Sequence, residues 1–253
     1  MSSESIAEAF DRARCTGHLH AIRLDGRDEV GSGADDPVNP ASVIKVLLAL
    51  ACGELDGSQR LRLGDAERTP GPVGLSLFRD EAELSVRDAV TLMLTISDNV
   101  VTDALYRLVG PQRLRGLADA LGLRATRMEC SLGDLIARHD VSADGPLSTT
   151  GRDQTTLLRA VWAEPAAAPV RWAMQRQLTR DRLAAGFGGR AEVAAKSGGL
   201  FGVWRNEVGV VTLADGSAYA VAVFARALEP PLDPWAANAA ISQAAVTAVD
   251  SLR

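Results

Sequence analysis

The chain has 253 residues, enough for one large domain or two interlocked lobes with a real core. Apolar residues make up 47% and charged residues 23%, which excludes a disordered or collagen-like chain. The net charge of −5 does not favour a nucleic-acid-binding surface, and no apolar run reaches the ~18–20 residues of a membrane helix.

The amino terminus has no basic start followed by an apolar stretch, so no secretory signal is visible. Ile6, Ala9, Phe10 and Ala13 fall at helical spacing and predict an amphipathic helix over 5–15. Residues 18–24 read as a strand closed by the Asp25-Gly26 turn. Residues 31–42, with two prolines, read as a loop, and 42–55 as a buried helix that is apolar nearly all round. Residues 56–85 are mixed and punctuated by Pro70-Gly71-Pro72. An apolar helix over 86–96 is interrupted by Ser97-Asp98-Asn99 and resumes over 100–108. Another follows over 111–121 and ends at Gly122. The polar stretch 123–149 shows little regular pattern and reads as a functional loop. Thr149-Thr150 cap a helix near 152–163, and 167–183 is read as helical too.

From there the pattern is β-rich. Strands are predicted over 190–199, 206–214 and 217–227, and a long helix over 234–252. This order predicts an α+β fold: an antiparallel sheet flanked by the first and last helices, with an all-helical lobe inserted. The expected layout is a single two-lobed domain, with an α/β lobe over 1–35 and 186–253 and a helical lobe over 36–185. Cys15, Cys52 and Cys130 form neither a disulfide framework nor a zinc spacing and suit a reducing compartment.

Of the 27 basic residues only two are lysine, Lys45 and Lys196. Codon bias accounts for the arginines but not for the exceptions. Arginine stays protonated in proteins, whereas a lysine amine loses its proton when desolvated or crowded by another cation. Both lysines are therefore singled out before any motif is considered.

Ser42-Val43-Ile44-Lys45 opens the apolar helix. Positions i and i+3 share a helical face, so the amine is placed to reach the serine oxygen and take its proton. A plain N-cap is the ordinary role of such a serine, but a lysine within an apolar helix is costly to bury without purpose. Ser97-Asp98-Asn99 offers a second hydroxyl and an amide; its ordinary role is a polar connector between helices. Lys196-Ser197-Gly198-Gly199 ends a predicted strand with an ammonium, a hydroxyl and glycines that let a substrate approach the strand edge.

Together the three resemble the motif set of the serine β-lactamase and penicillin-binding-protein superfamily, specifically its class A branch, over nearly the full chain. The two lysines fall at the two lysine positions of those motifs. The resemblance implies a β-lactamase/transpeptidase-like fold and a serine hydrolase of the β-lactamase type. It makes Ser42 the acylated nucleophile, Lys45 a general base and orienter, and Ser97 the group that passes a proton to the departing nitrogen. Asn99 is implied to bind the substrate amide, Lys196 and Ser197 its carboxylate, and the N–H groups of Ser42 and Gly199 the oxyanion. Arg205 is expected to add a second carboxylate contact, against the alternative of a strand-edge surface arginine.

One departure matters. The class A pattern carries a Glu-x-x-Leu-Asn element in the loop after the helical block, and residues 124–153 hold none. A frame aligned on Gly122 places Leu132 near the base position, with Glu129 and Asp134 on either side. Slow deacylation is therefore expected, since loss of general-base help costs ~10²–10⁴-fold. His18 and His20 share one side of a strand without further ligands, His139 has no visible partner, and no metal or cofactor is expected.

The expected activity is acyl transfer from a β-lactam, or a related amide or ester, to Ser42. A D-alanyl peptidase or esterase, and a β-lactam-binding protein that stays acylated, are the alternatives. The expected partner is a small molecule with a carboxylate, with no nucleic acid or membrane, and the chain is expected to be a monomer. As written the sequence implies a cytoplasmic location; a removed leader would make it secreted or periplasmic.

Overall fold

A computed structural model describes residues 3–253, with side chains from Ile6 onward. Residues 1 and 2, where the reading of the amino terminus begins, lie outside the described residues.

The chain begins with α1 (Ser3–Arg12), β1 (Cys15–Arg23) and β2 (Glu29–Ser32). A 3₁₀ turn (Ala41–Ile44) leads into α2 (Lys45–Ala51), followed by β3 (Arg60–Leu63), β4 (Ala82–Ser85), α3 (Val86–Thr95), α4 (Asn99–Val109) and α5 (Pro111–Ala120). Next come β5 (Arg127–Met128), α6 (Leu132–Arg138), β6 (Leu147–Ser148), α7 (Gly151–Ala163), α8 (Ala168–Gln175) and α9 (Leu183–Phe187). The last part is β7 (Ala191–Leu200), β8 (Trp204–Leu213), β9 (Ala218–Ala227) and α10 (Pro234–Ser251).

The main sheet is antiparallel throughout, in the order β2-β1-β9-β8-β7. Strand alternation sends successive side chains to opposite faces. Tyr219, Val221, Val223 and Ala225 of β9 meet α1 and α10 in one apolar cluster, while Ala220, Ala222 and Phe224 meet the helical block in the other. A strand buried on both faces reads as a continuous apolar run, which is what β9 shows. α10 packs with Ala237, Ala240, Ala244, Ala245 and Ala248 buried, small residues that let a helix approach a sheet closely. No helix among the described residues is long and apolar enough to cross a membrane.

α2 is the axis of the helical block. All its residues except Leu50 are buried, which accounts for its lack of a polar face. The α+β class and antiparallel sheet match the sequence expectation; several local readings do not. Part of the loop read over 31–42 belongs to β2, an edge strand of only four residues whose short span masks its period. The helix read over 42–55 is a 3₁₀ turn, α2 and a second 3₁₀ turn (Cys52–Glu54). The stretch read as irregular over 123–149 contains α6, whose N-cap is Ser131, its Oγ accepting from Asp134 N. The helix read over 167–183 stops at Gln175, and 176–182 leaves helical geometry before α9. Within that segment Gln177 and Arg182 turn inward to buried partners under the sheet, a tertiary demand that overrides local propensity.

Candidate active site

Ser42 lies in the 3₁₀ turn, where the chain passes from β-sheet to helix. Asn206 of β8 donates from Nδ2 to Asn39 O (2.9 Å) and Pro40 O (3.1 Å), tying this entry to the sheet. Asn39 in turn accepts from Ala41 N (2.9 Å) and donates to Ser142 O (3.0 Å). Ala41 sits in the left-handed region with φ of 47°. Of the five described non-glycine residues with positive φ, Ala41 and Phe201 line one cleft, His139 stacks on Phe201, and Ser97 accepts from Lys45. Such conformations cost roughly 1–3 kcal/mol each and persist only where surrounding contacts hold them.

Ser42 does not take the N-cap role that is the ordinary alternative for such a serine, and its hydroxyl is not among the bonding partners of Lys45. The cap position of the turn is Pro40, with no side-chain cap bond, because left-handed Ala41 drives the chain into a tight turn with Val43 N donating to Pro40 O (3.1 Å). Lys45 Nζ instead donates to Ser97 O (2.7 Å), Ser97 Oγ (3.1 Å) and Asn99 Oδ1 (2.9 Å). Lys45 is fully buried, and burial pushes its pKa down to about 7 against the opposing pull of Asp98 and Asp103.

The Ser97 bend is built by its neighbour. Asp98, also fully buried, caps α4 by accepting from Val101 N (3.0 Å) through Oδ1 and fixes the 74–77 turn by accepting from Leu75 N (2.6 Å) through Oδ2. This leaves Ser97 left-handed at φ 63°, with hydroxyl and carbonyl both toward Lys45. Asn99 then spans the cleft floor, its Nδ2 donating to Pro70 O (2.9 Å).

β7 forms the opposite wall. Lys196 is fully buried and donates to Ser197 O (2.8 Å). Burial, then the charges of Lys45 and Arg182, push its pKa well below the usual lysine range, with Glu207 opposing. A Cβ at Gly198 would lie 2.9 Å from Pro40 O and 3.2 Å from Ser42 N, so glycine is what allows the strand to pass this close to the serine.

The cleft between these walls has a volume of about 280 Å³, and its lining includes Ser42, Pro70, Asn99, Leu132, Gly199 and Phe201. Leu132 is buried at the start of α6, held by Asp103, whose Oδ1 accepts from Leu132 N (2.7 Å) and Oδ2 from Gly133 N (2.8 Å). Neither flanking acid lines the cleft. Glu129 is exposed and paired with Arg115 (3.2 Å), and Asp134 is exposed and accepts from Ser131 Oγ (2.8 Å). At the outer end His139 and Phe201 stack with ring centres 4.2 Å apart and planes 11° apart, joining α6 to the β7–β8 turn. A larger pocket of about 670 Å³ behind α2 is lined mainly by apolar side chains such as Ala49, Val86, Val170 and Trp172. Its one thiol, Cys52, is pushed up to about 12 by burial and is no nucleophile at neutral pH.

The structure thus gathers Ser42, Lys45, Ser97, Asn99, Lys196 and Gly199 around one cleft. Ser197 adjoins Lys196 on the same strand, with its N–H given to Gln177 Oε1. Arg205 is placed otherwise. It stands opposite Gly199 in β8, on the sheet face toward α10, donating from Nε to Asn238 Oδ1 and lying 3.7 Å from Asp181, because its position alternates with inward-facing Trp204 and Asn206. Sequence reading missed Gln177, Arg182, Asn206 and Glu207. Asn206 and Glu207 leave a signal, a polar pair inside an apolar strand; Arg182 leaves none among 25 arginines.

The profile of the group described as the beta-lactamase enzyme family matches residues 2–252. A curated relative, the "Beta-lactamase regulatory protein BlaB" of Streptomyces cacaoi, is 30% identical over 311 aligned positions spanning 100% of this chain and 99% of that protein. In structure the chain is similar to a β-lactamase from Sphaerobacter thermophilus, with a TM-score of 0.86, 24% identity and coverage of 100% and 98%. It is also similar to a leucine-to-glutamate variant of PBP-A in acyl-enzyme complex with penicillin G, with a TM-score of 0.84, 23% identity and coverage of 98% and 96%. At these identities the structural likenesses establish the fold.

Proposed function

The chain belongs to the beta-lactamase enzyme family, and from that premise we propose that it takes a β-lactam, or a related amide or ester beside a carboxylate, onto Ser42 as a slowly released acyl-enzyme. The observation that carries this reading is the buried amine of Lys45, with its pKa near 7, held against Ser97 and Asn99 in the cleft that Ser42 lines.

In this reading neutral Lys45 takes the Ser42 proton, directly or through Ser97, as Oγ attacks the carbonyl carbon. The N–H groups of Ser42 and Gly199 receive the oxyanion, with Gly198 letting them stand close. Ser97 Oγ returns a proton to the departing nitrogen as its bond to the carbonyl breaks. Asn99 takes the substrate amide, and Lys196 with Ser197 its carboxylate. The ester left on Ser42 then faces Leu132, which has no group to activate water, so hydrolysis is slow.

A second reading is a β-lactam-binding protein that stays acylated and signals or sequesters. Leu132 favours it, as does the regulatory name of the Streptomyces relative. Intact-mass spectrometry after mixing with penicillin G tests the proposal: a penicilloyl adduct forms on the native chain, persists for minutes or longer, and is absent from Ser42→Ala. No adduct on the native chain overturns acylation, and rapid loss overturns slow release. With a chromogenic cephalosporin, one stoichiometric burst favours the binding role and continued turnover the hydrolase.

A further inference from the structure

Two aromatic rings meet at the outer end of the cleft, each on backbone that ordinarily goes to a smaller residue. Phe201 and Gly202 are the central residues of the turn between β7 and β8, which Val203 N closes by donating to Leu200 O (2.9 Å). Both have positive φ, 49° and 66°. A turn of that kind favours Asn-Gly, and a bulky side chain at its first central position is an outlier. His139 is the left-handed cap that ends α6, with φ of 51°, a position that favours glycine or asparagine. The two rings stack with centres 4.2 Å apart. Local turn chemistry accounts for neither ring; their contact with each other does.

The segments that carry the rings are pinned. Just after His139, Val141 O accepts from Trp204 Nε1 (2.8 Å) and Ser142 O from Asn39 Nδ2 (3.0 Å). In the β7–β8 turn, Gly202 O accepts from Leu232 N (2.8 Å). Leu132, Leu135 and Ile136 line the cleft from α6, and Gly199, Leu200 and Phe201 line it from the end of β7. His139 shares the helical face of the three α6 residues, at i+7 from Leu132. The stack therefore bridges the same two walls farther out. At about 280 Å³ the cleft is small for a ligand pocket, which typically spans ~300–1,000 Å³. A β-lactam carries its carboxylate and its acyl arm on opposite sides of the reacting carbonyl. With the carboxylate at Lys196 and the carbonyl at Gly199, the arm runs on toward Phe201, two positions along and roughly 7 Å away at the rise of a strand.

We propose that the His139–Phe201 stack is a specificity-determining clasp, which closes the far end of the cleft and limits the size of the acyl arm. The proposal rests on the acyl-transfer reading above. The penicillin nucleus with a free amine has no acyl arm, and piperacillin carries a long branched one on the same nucleus. The ratio of their acylation rates, piperacillin over the bare nucleus, therefore isolates the arm; intact-mass time courses give both rates. In Phe201→Ala, and in His139→Asn, whose new side chain suits a left-handed cap, the ratio should rise roughly tenfold or more over the native chain. His139→Phe retains a stack and should keep the native ratio. A stack needs both rings, so removing both should raise the ratio no further than removing one. An unchanged ratio in either single variant, a raised ratio in His139→Phe, or effects that add in the double variant overturn the clasp while acylation stands. Where one single variant does not fold, the other decides. Failure of both to fold overturns the proposal too, since the stack is then a folding element. A native chain that neither compound acylates overturns the acyl-transfer reading, and the clasp with it.

Discussion

The amine of Lys45 is bonded to both oxygens of Ser97, at 2.7 Å to the carbonyl and 3.1 Å to the hydroxyl, and not to the serine three residues before it. With Asn99 Oδ1 as the third acceptor, every hydrogen of an ammonium has a partner. Protonated Lys45 thus has no lone pair to offer. Loss of one proton frees a lone pair beside Ser97, at the cleft that Ser42 lines. With the pKa near 7, the acylation rate should fall as pH drops through about 7 and level off above about 8. Stopped-flow acylation between about pH 5.5 and 8.5 checks this; a flat profile removes Lys45 as the base. Stability carries the same sign. The folded pKa lies below the unfolded 10.5, so the unfolded chain binds more protons between about 7 and 10.5, and stability rises with pH there. The native chain should gain stability over Lys45→Met across that window, measured by urea unfolding.

The residues that carry this chemistry were legible because their types are rare where they stand. Two lysines among arginines, one of them inside an apolar helix, point to the cleft without any knowledge of the fold. The long strands β7, β8 and β9 and the helix α10 were legible from composition and period, since each buries a wide face. What failed was conformation set at a distance. Ser42 looks like an N-cap by local rules, but Asn206, 164 positions on, holds Asn39 and Pro40 and with them the left-handed Ala41. The break after Gln175 has a similar origin, because Gln177 and Arg182 answer to Glu207 and to β7. No window of sequence contains such partners together.

Leu132 faces the cleft from the start of α6, and its backbone is fixed by Asp103. A glutamate there would set a carboxylate across from the ester on Ser42, where neither Glu129 nor Asp134 reaches. Leu132→Glu should shorten the life of a penicilloyl adduct by ~10²–10⁴-fold. It should also cost about 1–3 kcal/mol of stability, since Leu132 is buried. Leu132→Gln has the same length and no base, so its adduct should persist. Adduct lifetimes from intact-mass time courses, with melting curves alongside, give the comparison. Equal lifetimes in the two variants would mean that the missing acid is not what slows release.

Gly198 is the point where strand and nucleophile come closest. An alanine Cβ there would press on Pro40 O at 2.9 Å and Ser42 N at 3.2 Å, both backbone atoms that cannot rotate aside. Pro40 O is held further by Val43 N (3.1 Å) and Asn206 Nδ2 (3.1 Å), so the strain must move β7 instead. That separates Gly199 N from Ser42 N, the two donors proposed for the oxyanion. Loss of one such donor costs ~10²–10³-fold, and a partial displacement should cost roughly tenfold or more in acylation. Gly116 in α5 has nothing within 4 Å of an added Cβ, so Gly116→Ala is the matched control and should acylate at the native rate. The measurement is the acylation rate of each variant by mass spectrometry, with a thermal melt to show that both remain folded. A Gly198→Ala chain that acylates as fast as the control would remove the strand edge from the oxyanion site, because the close approach would then have no bearing on the reaction.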